Sequence, residues 1–340
     1  MGKRTPSMGP GVDAFRVLLM LPIILAHSWH FAGPISPGLL PYLPLMVGHA
    51  AVPFFFLASG SLLRWQEGDT FAVPRWLLRK LLPLFAIWMT VYVFAAWIAG
   101  RGSLLEMLAM IDEGGPTRHL WFLPALGFAL SVVAISLRLL GHGRTWAIVT
   151  CMAAIGLFQG GYQLFLGLSG HWLRCAFLTA PLFVMIGVEV ARRPIPATPM
   201  VAAGAAVLFY LLQVADDVVI ASAPGHLPHE HPTVTLATIP YALALFLLAR
   251  SLASGPALQK LASLRRYNVA IYCMNPLVLL IVQPFLPVRG MVVAFVLTFA
   301  VLAVCIGMSR LWTRAWARAR SHRRQPYGLP DAPEPQALRT

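Results

Sequence analysis

Apolar runs long enough to cross a bilayer follow one another along almost the whole chain, and this repetition restricts the fold more than any single motif. Hydrocarbon about 30 Å thick takes about 20 helical residues to cross. Ten such spans fall at 14–33, 45–63, 77–99, 119–138, 145–161, 172–191, 199–219, 234–252, 268–286 and 291–311. Charged residues make up 11% of the 340, against about a quarter in soluble domains. The expected fold is an all-α membrane protein, a polytopic bundle of about ten transmembrane helices folded as one unit. Residues 1–312 form the membrane domain, and 313–340 a basic, then Pro-rich tail ending "QPYGLPDAPEPQALRT", whose composition is that of a disordered strip.

The net charge of +14 does not point to nucleic acid, because the basic residues are interspersed between apolar spans. With the N-terminus placed in the cytoplasm, 22 Lys and Arg fall on the inner side and 4 (Arg101, Arg118, Arg174, Arg289) on the outer side. That is the positive-inside pattern. It predicts a multi-pass membrane protein with both termini cytoplasmic. Cys151, Cys175, Cys273 and Cys305 lie within or at the ends of apolar segments with no CxxC pair, so neither a disulfide framework nor a metal site is expected. Lys3 and Arg4 before an apolar run resemble a signal peptide, but Asp13 and Arg16 intrude and no clean cleavage site follows. The segment is read as a retained first helix.

That helix, "VDAFRVLLMLPIILAHSWHF" at 12–31, holds the most informative residues. Arg16 and His27 are eleven residues apart, and eleven steps of about 100° return to nearly the same direction. The two side chains are predicted on one face, roughly 16 Å apart along the axis, with Asp13 and His30 each one turn beyond them. Ionisable groups are costly inside a membrane and face protein or water there, where they carry function.

At this point the sequence resembles the acyltransferase-3 family of bacterial integral membrane acyltransferases. Arg16 and His27 fit its first-helix Arg-x10-His motif, and Asp13 the aspartate that commonly precedes the arginine. "VPFFFLASGSLLRW" (52–65) is similar to the Phe-Phe-x-x-Ser-Gly stretch of the second span, and "RWLLRKLLPLF" (75–85) to the basic, proline-ended start of the third. "RHLWFLPALGF" (118–128) resembles the His/Trp start of the fourth, and "LRRYNVAIYCMNPLVLL" (264–280) the late Ser-x-x-x-Tyr-x-x-His-Pro stretch. Asn268 stands where that stretch usually has serine and Asn275 where it has histidine. No acid follows Trp121, and the spacing Arg75-x-x-x-Arg79-Lys80 is one longer than the commonest form.

The resemblance implies a transferase that moves an acyl group, acetyl above all, from cytoplasmic acyl-CoA to a hydroxyl of an envelope or exported glycan or a lipid-linked sugar. No cofactor is permanently bound, and acetyl-CoA is the donor substrate. Such a reaction needs a base for the hydroxyl proton and stabilisation of an oxyanion. His27 suits the first role, since its ordinary pKa is near physiological pH, and Arg16 would anchor the donor's anionic end. Arg75, Arg79 and Lys80 are candidates for the coenzyme A phosphates, and equally for topology-setting charge. His119 and Trp121 are candidates for the acceptor end, or for an interfacial belt. Asp216 and Asp217 would bind an acceptor, orient a histidine, or simply end their helix. Ser59 and Gly60 read as a small pair for close helix approach. "GHLPHEHP" (225–232) reads as a solvated loop. A transporter of lipid-linked sugar or small solute shares the polytopic form, and a silent partner in a polysaccharide machine is a third reading. Release of free thiol from acyl-CoA separates the enzyme from both.

Overall fold

The structure, a computed structural model, describes residues 8–33, 42–64, 68–100, 102–109, 114–163, 172–221 and 234–323. They are all-α, in the order α1 (Pro10–Leu18), α2 (Met20–Ser28), α3 (Leu43–Met46), α4 (Ala51–Ser61), α5 (Ala72–Ile98), α6 (Leu104–Ala109), α7 (Phe122–Leu139), α8 (Gly141–Gln159), α9 (Trp172–Arg192), α10 (Pro199–Ala221), α11 (Thr238–Ser251), α12 (Pro256–Ala262), α13 (Asn268–Val282) and α14 (Met291–Arg323). Helix occurs at all ten expected positions, and among the described residues eight helical segments are long and apolar enough to cross a membrane. Two expected spans fall short of that. The segment Gly141–Gln159 is not among the eight, and Thr238–Ser251 has only 14 residues, about 21 Å of helix. The final helix runs on to Arg323, past the expected boundary at 312, and the Pro-rich strip and the 225–232 loop lie outside the described residues.

The expected first helix is two helices. Pro22 has no N–H to offer the Leu18 carbonyl and its ring crowds that carbonyl, so the chain breaks at Leu19 and resumes as α2. Pro124, in contrast, sits in the first turn of α7, where the missing donor costs nothing.

Helix α9 lies at the centre, packed on α4, α7 and α8, while α1 packs on α11 and α12 and α2 on α13 and α14. The α4–α9 contact is backbone to backbone: a Cβ on Gly60 would overlap the Val184 carbonyl, and one on Gly187 the Leu57 carbonyl. Gly60 therefore acts as the expected small residue for close approach. Phe54, Phe183, Phe246, Leu57 and Ile271 fill the core. The outward sides of α5, α10 and α14 leave Trp76, Ile87, Phe94, Leu211, Phe299 and other large apolar side chains exposed. Such surface is stable against lipid and a liability in water.

Candidate active site

Two cavities adjoin inside the bundle. The larger, about 380 Å3, opens where the C-terminal end of α2 meets the starts of α4, α7 and α9, and its lining includes His27, His49, His119 and Trp121. This is the size of a small-molecule pocket. The smaller, about 100 Å3, is lined by Arg16, Met20, Ser59 and Asn268 among others. Ile23, Val52, Phe122 and Tyr272 belong to the walls of both, so a four-residue collar is all that divides them. The expected stripe of Arg16 and His27 thus opens onto two adjoining spaces, despite the break at Leu19.

The facing wall comes from α13. Asn268, Tyr272 and Asn275 are four and three residues apart, which puts them on one helix face. Asn268 lines the smaller cavity and Tyr272 both. Asn275 Oδ1 lies 2.7 Å from His27 Nδ1. The Asn275 amide nitrogen is committed elsewhere, donating to the carbonyls of Ile271 (3.0 Å) and Tyr272 (2.8 Å). Carbonyls only accept, so the amide cannot be flipped, and its oxygen must face His27. Nδ1 of His27 therefore carries the proton, and Nε2 keeps the lone pair of the neutral ring.

Pro276 makes this arrangement possible. It offers no N–H to the Tyr272 carbonyl, and the Asn275 side chain supplies the missing donor. One residue on, the Leu277 N–H bonds the Tyr92 hydroxyl (3.0 Å), which itself donates to the Cys273 carbonyl (2.7 Å). A side chain inserted into the ladder in this way is a recognised cause of a bend.

His119 is held tightly. Its ring is edge-on to those of Tyr92 (centroids 4.5 Å apart) and His27 (6.0 Å), and Thr117 Oγ1 lies 2.6 Å from its Nδ1. Its carbonyl accepts a bond from the Tyr272 hydroxyl. The turn before it requires left-handed backbone at Gly114, Gly115 and Arg118, a conformation glycine adopts at no steric cost.

The remaining expected residues lie apart from both cavities. Asp13 is fully buried and forms an ion pair with Arg265 (2.9 Å), with Arg16 3.7 Å away. A buried carboxylate needs such pairing, so Asp13 orients Arg16 from beneath and lines neither cavity. Arg75, Arg79 and Lys80 are exposed in the first turns of α5 and line neither. Arg75 is engaged by Asp69, and its hydrogen bond holds that carboxyl below the usual range. Among the described residues no group of His, Cys, Asp and Glu could hold a metal.

A family model, the acyltransferase domain, matches residues 10–310. The chain belongs to the acyltransferase-3 family. It is 24% identical over 322 residues to an amino-acid racemase of Enterococcus faecalis, covering 87% of this chain and 44% of that protein. A second amino-acid racemase of the same organism is 22% identical over 201 residues, 54% of this chain and 28% of the relative. The chain thus spans less than half the length of these relatives. No solved structure matches it.

Arg265 and His49 stand at no defined motif position of the sequence, one among basic residues near a span and the other within an apolar run. Asn268 and Asn275 stand out there as departures from the family pattern. The signal for Asn275 was present, since an asparagine beside a proline in a span has a carbonyl to satisfy.

Proposed function

We propose that this member of the family moves an acyl group, acetyl in the simplest case, from cytoplasmic acyl-CoA to a hydroxyl of a glycan or lipid-linked sugar. The observation that carries the reading is His27: Nδ1–H fixed by Asn275 Oδ1 at 2.7 Å, Nε2 left as a base, and the ring lining a cavity that adjoins the one lined by Arg16. A general base whose second nitrogen is held by a neighbour is oriented as well as basic.

In this reading the donor reaches in from the Arg16 side and its thioester passes the Ile23–Tyr272 collar. The acceptor enters the larger cavity beside His119 and Trp121. His27 Nε2 takes the hydroxyl proton as the oxygen attacks the thioester carbonyl. The C–S bond breaks, and the proton passes from His27 to the departing thiolate. Arg16, backed by Asp13 and Arg265, meets the donor's anionic portion, with Arg75, Arg79 and Lys80 as outlying charge at the donor's approach. The positive-inside count supports both termini being cytoplasmic, and in that orientation the Arg16 cavity is the one nearer the cytoplasm. The racemase activity named for its relatives belongs to proteins of which this chain covers 44% and 28%, and it is not carried over here.

The test is thiol release from acetyl-CoA by the protein in nanodiscs, with a membrane extract of a glycan-producing host as acceptor. Acceptor-dependent release in wild type that is lost in a folded His27→Ala variant is the expected result. Full activity in that variant would remove His27 from the reaction.

A further inference from the structure

A second histidine of the larger cavity is built into a polar relay that the reaction above does not use. Asp217 is almost fully buried near the end of α10, and Gln213, one turn earlier, is fully buried. Their hydrogen bonds have a fixed direction. The Thr235 backbone N–H, which can only donate, reaches Thr238 Oγ1 at 2.9 Å. The carboxylate of Asp217 only accepts, so it takes the Gln213 Nε2 hydrogen at Oδ1 (3.1 Å). That fixes the Gln213 amide, whose Oε1 accepts from the Thr238 hydroxyl. The other carboxylate oxygen, Oδ2, lies 3.2 Å from His49 Nδ1.

Oδ2 accepts no hydrogen bond among the described residues, so its contact with His49 is one of proximity and not of an Nδ1–H. Gln213 Nε2, which can only donate, lies 3.3 Å from His49 Nδ1, so Nδ1 accepts and the ring hydrogen sits on Nε2. The His49 Nε2–H is thereby presented as a hydrogen-bond donor in the cavity that His27 also lines. The neighbouring Asp216 does different work, tying the Tyr162 hydroxyl (2.8 Å) and the Ala237 N–H (3.2 Å) at the start of α11.

We propose that His49, oriented by Asp217 and Gln213, binds the acyl acceptor through a hydroxyl other than the one that reacts at His27, so that the site selects polyhydroxylated acceptors. The assignment rests on the acyl-transfer reading and extends it to the acceptor's class. His49 is a binding group and takes no part in the proton transfer. Asp217 and Gln213 are positioning residues, because they act only through His49. A mono-alcohol would satisfy His27 and leave His49 unpaired, and an unpaired buried group is what discriminates between otherwise similar substrates.

The experiment compares methyl α-glucoside with 1-propanol as acceptors, each as thiol release from acetyl-CoA above the rate with water alone. Wild type should favour the glucoside in kcat/KM by about tenfold, the scale of one hydrogen bond. His49→Leu should abolish that preference by lowering the glucoside kcat/KM about tenfold and the 1-propanol kcat/KM far less. Asp217→Asn, nearly isosteric, removes the carboxylate that fixes the Gln213 amide against Nδ1 and should reduce the preference similarly, with no further effect in the His49→Leu background. A structural role would instead lower the water rate and both acceptor rates together, and that result overturns the assignment. So does a wild type with no preference, or a His49→Leu variant that keeps it. If His49→Leu does not fold, Asp217→Asn decides alone. A wild type that releases no thiol from acetyl-CoA under any condition overturns the transferase reading itself, and is thereby distinguished from failure of the His49 assignment.

Discussion

Replacing Asn275 by leucine keeps the bulk of the side chain and removes both halves of its amide, which isolates the part this residue plays in holding His27. In the wild type the His27 Nδ1–H reaches Oδ1 at 2.7 Å in a buried setting. Leaving a buried donor without a partner costs about 1–3 kcal/mol. If that cost falls on the ring orientation needed in the transition state, thiol release should drop by about 5- to 150-fold at about 1.4 kcal/mol per decade. The drop should appear in kcat, because the donor KM depends on the Arg16 cavity, which Asn275 does not line. The same substitution strips the Tyr272 carbonyl of its side-chain donor beside Pro276, so stability should also fall, by about 1 kcal/mol. Thermal unfolding in detergent measures that second effect independently of turnover. A folded Asn275→Leu protein with kcat within twofold of wild type would refute the claim that Asn275 sets the histidine's tautomer.

Three further outcomes follow from the packing and the donor side. Arg265→Ala removes the nearer of the two arginines that pair with buried Asp13 and leaves the more distant Arg16. It should destabilise the protein by about 2–3 kcal/mol, below the value for a wholly isolated buried charge, read as thermal stability, with Arg265→Lys intermediate. Gly187→Val drives a side chain into the Leu57 carbonyl across the α4–α9 contact; the yield of monodisperse protein from membranes should fall several-fold, while Gly204→Val, which meets nothing, should leave it unchanged. Asn268, buried in the wall of the smaller cavity with both amide atoms unpaired, is suited to an amide of the donor's pantetheine arm. Asn268→Leu should raise the acetyl-CoA KM by about tenfold, measured by initial rates of thiol release, with little change in the water-only kcat.

The all-α membrane class was legible because hydropathy acts over windows of about 20 residues, which a single sequence displays in full. The two spans that fall short are ones whose ends carry polar residues or whose helix begins after a loop, where composition blurs the boundary. The break at Leu19 was legible in cause, through Pro22, but the eleven-residue spacing still brought Arg16 and His27 to adjoining cavities, since the helix resumes after one residue. What sequence could not supply was partnership across long separations. His27 and Asn275 are 248 positions apart, and His49 and Asp217 are 168 apart. The basic cluster at Arg75, Arg79 and Lys80 shows the converse. Its composition suits phosphate, yet composition does not say which way a helix turns, and these groups line neither cavity.

The two motifs that looked most separate in sequence form a single device in the fold. The stripe Arg16, Ile23, His27 and the stripe Asn268, Tyr272, Asn275 face each other, because α2 packs on α13. Each member of one has its counterpart in the other: Arg16 and Asn268 line the smaller cavity, Ile23 and Tyr272 form the collar, and Asn275 bonds His27 at the larger cavity. A donor that enters past the first pair and reacts at the last must pass the collar extended, with a flexible arm about as long as the stripe, roughly 16 Å for eleven helical residues. A thioester on a long, thin arm meets that requirement and a compact acyl phosphate does not. Acetyl phosphate should therefore fail as donor even at millimolar concentration, and acetyl-pantetheine, which keeps the arm without the nucleotide, should retain activity at a raised KM. Equal turnover of acetyl phosphate and acetyl-CoA would mean that the collar is not the donor's route and that the paired stripes serve only packing.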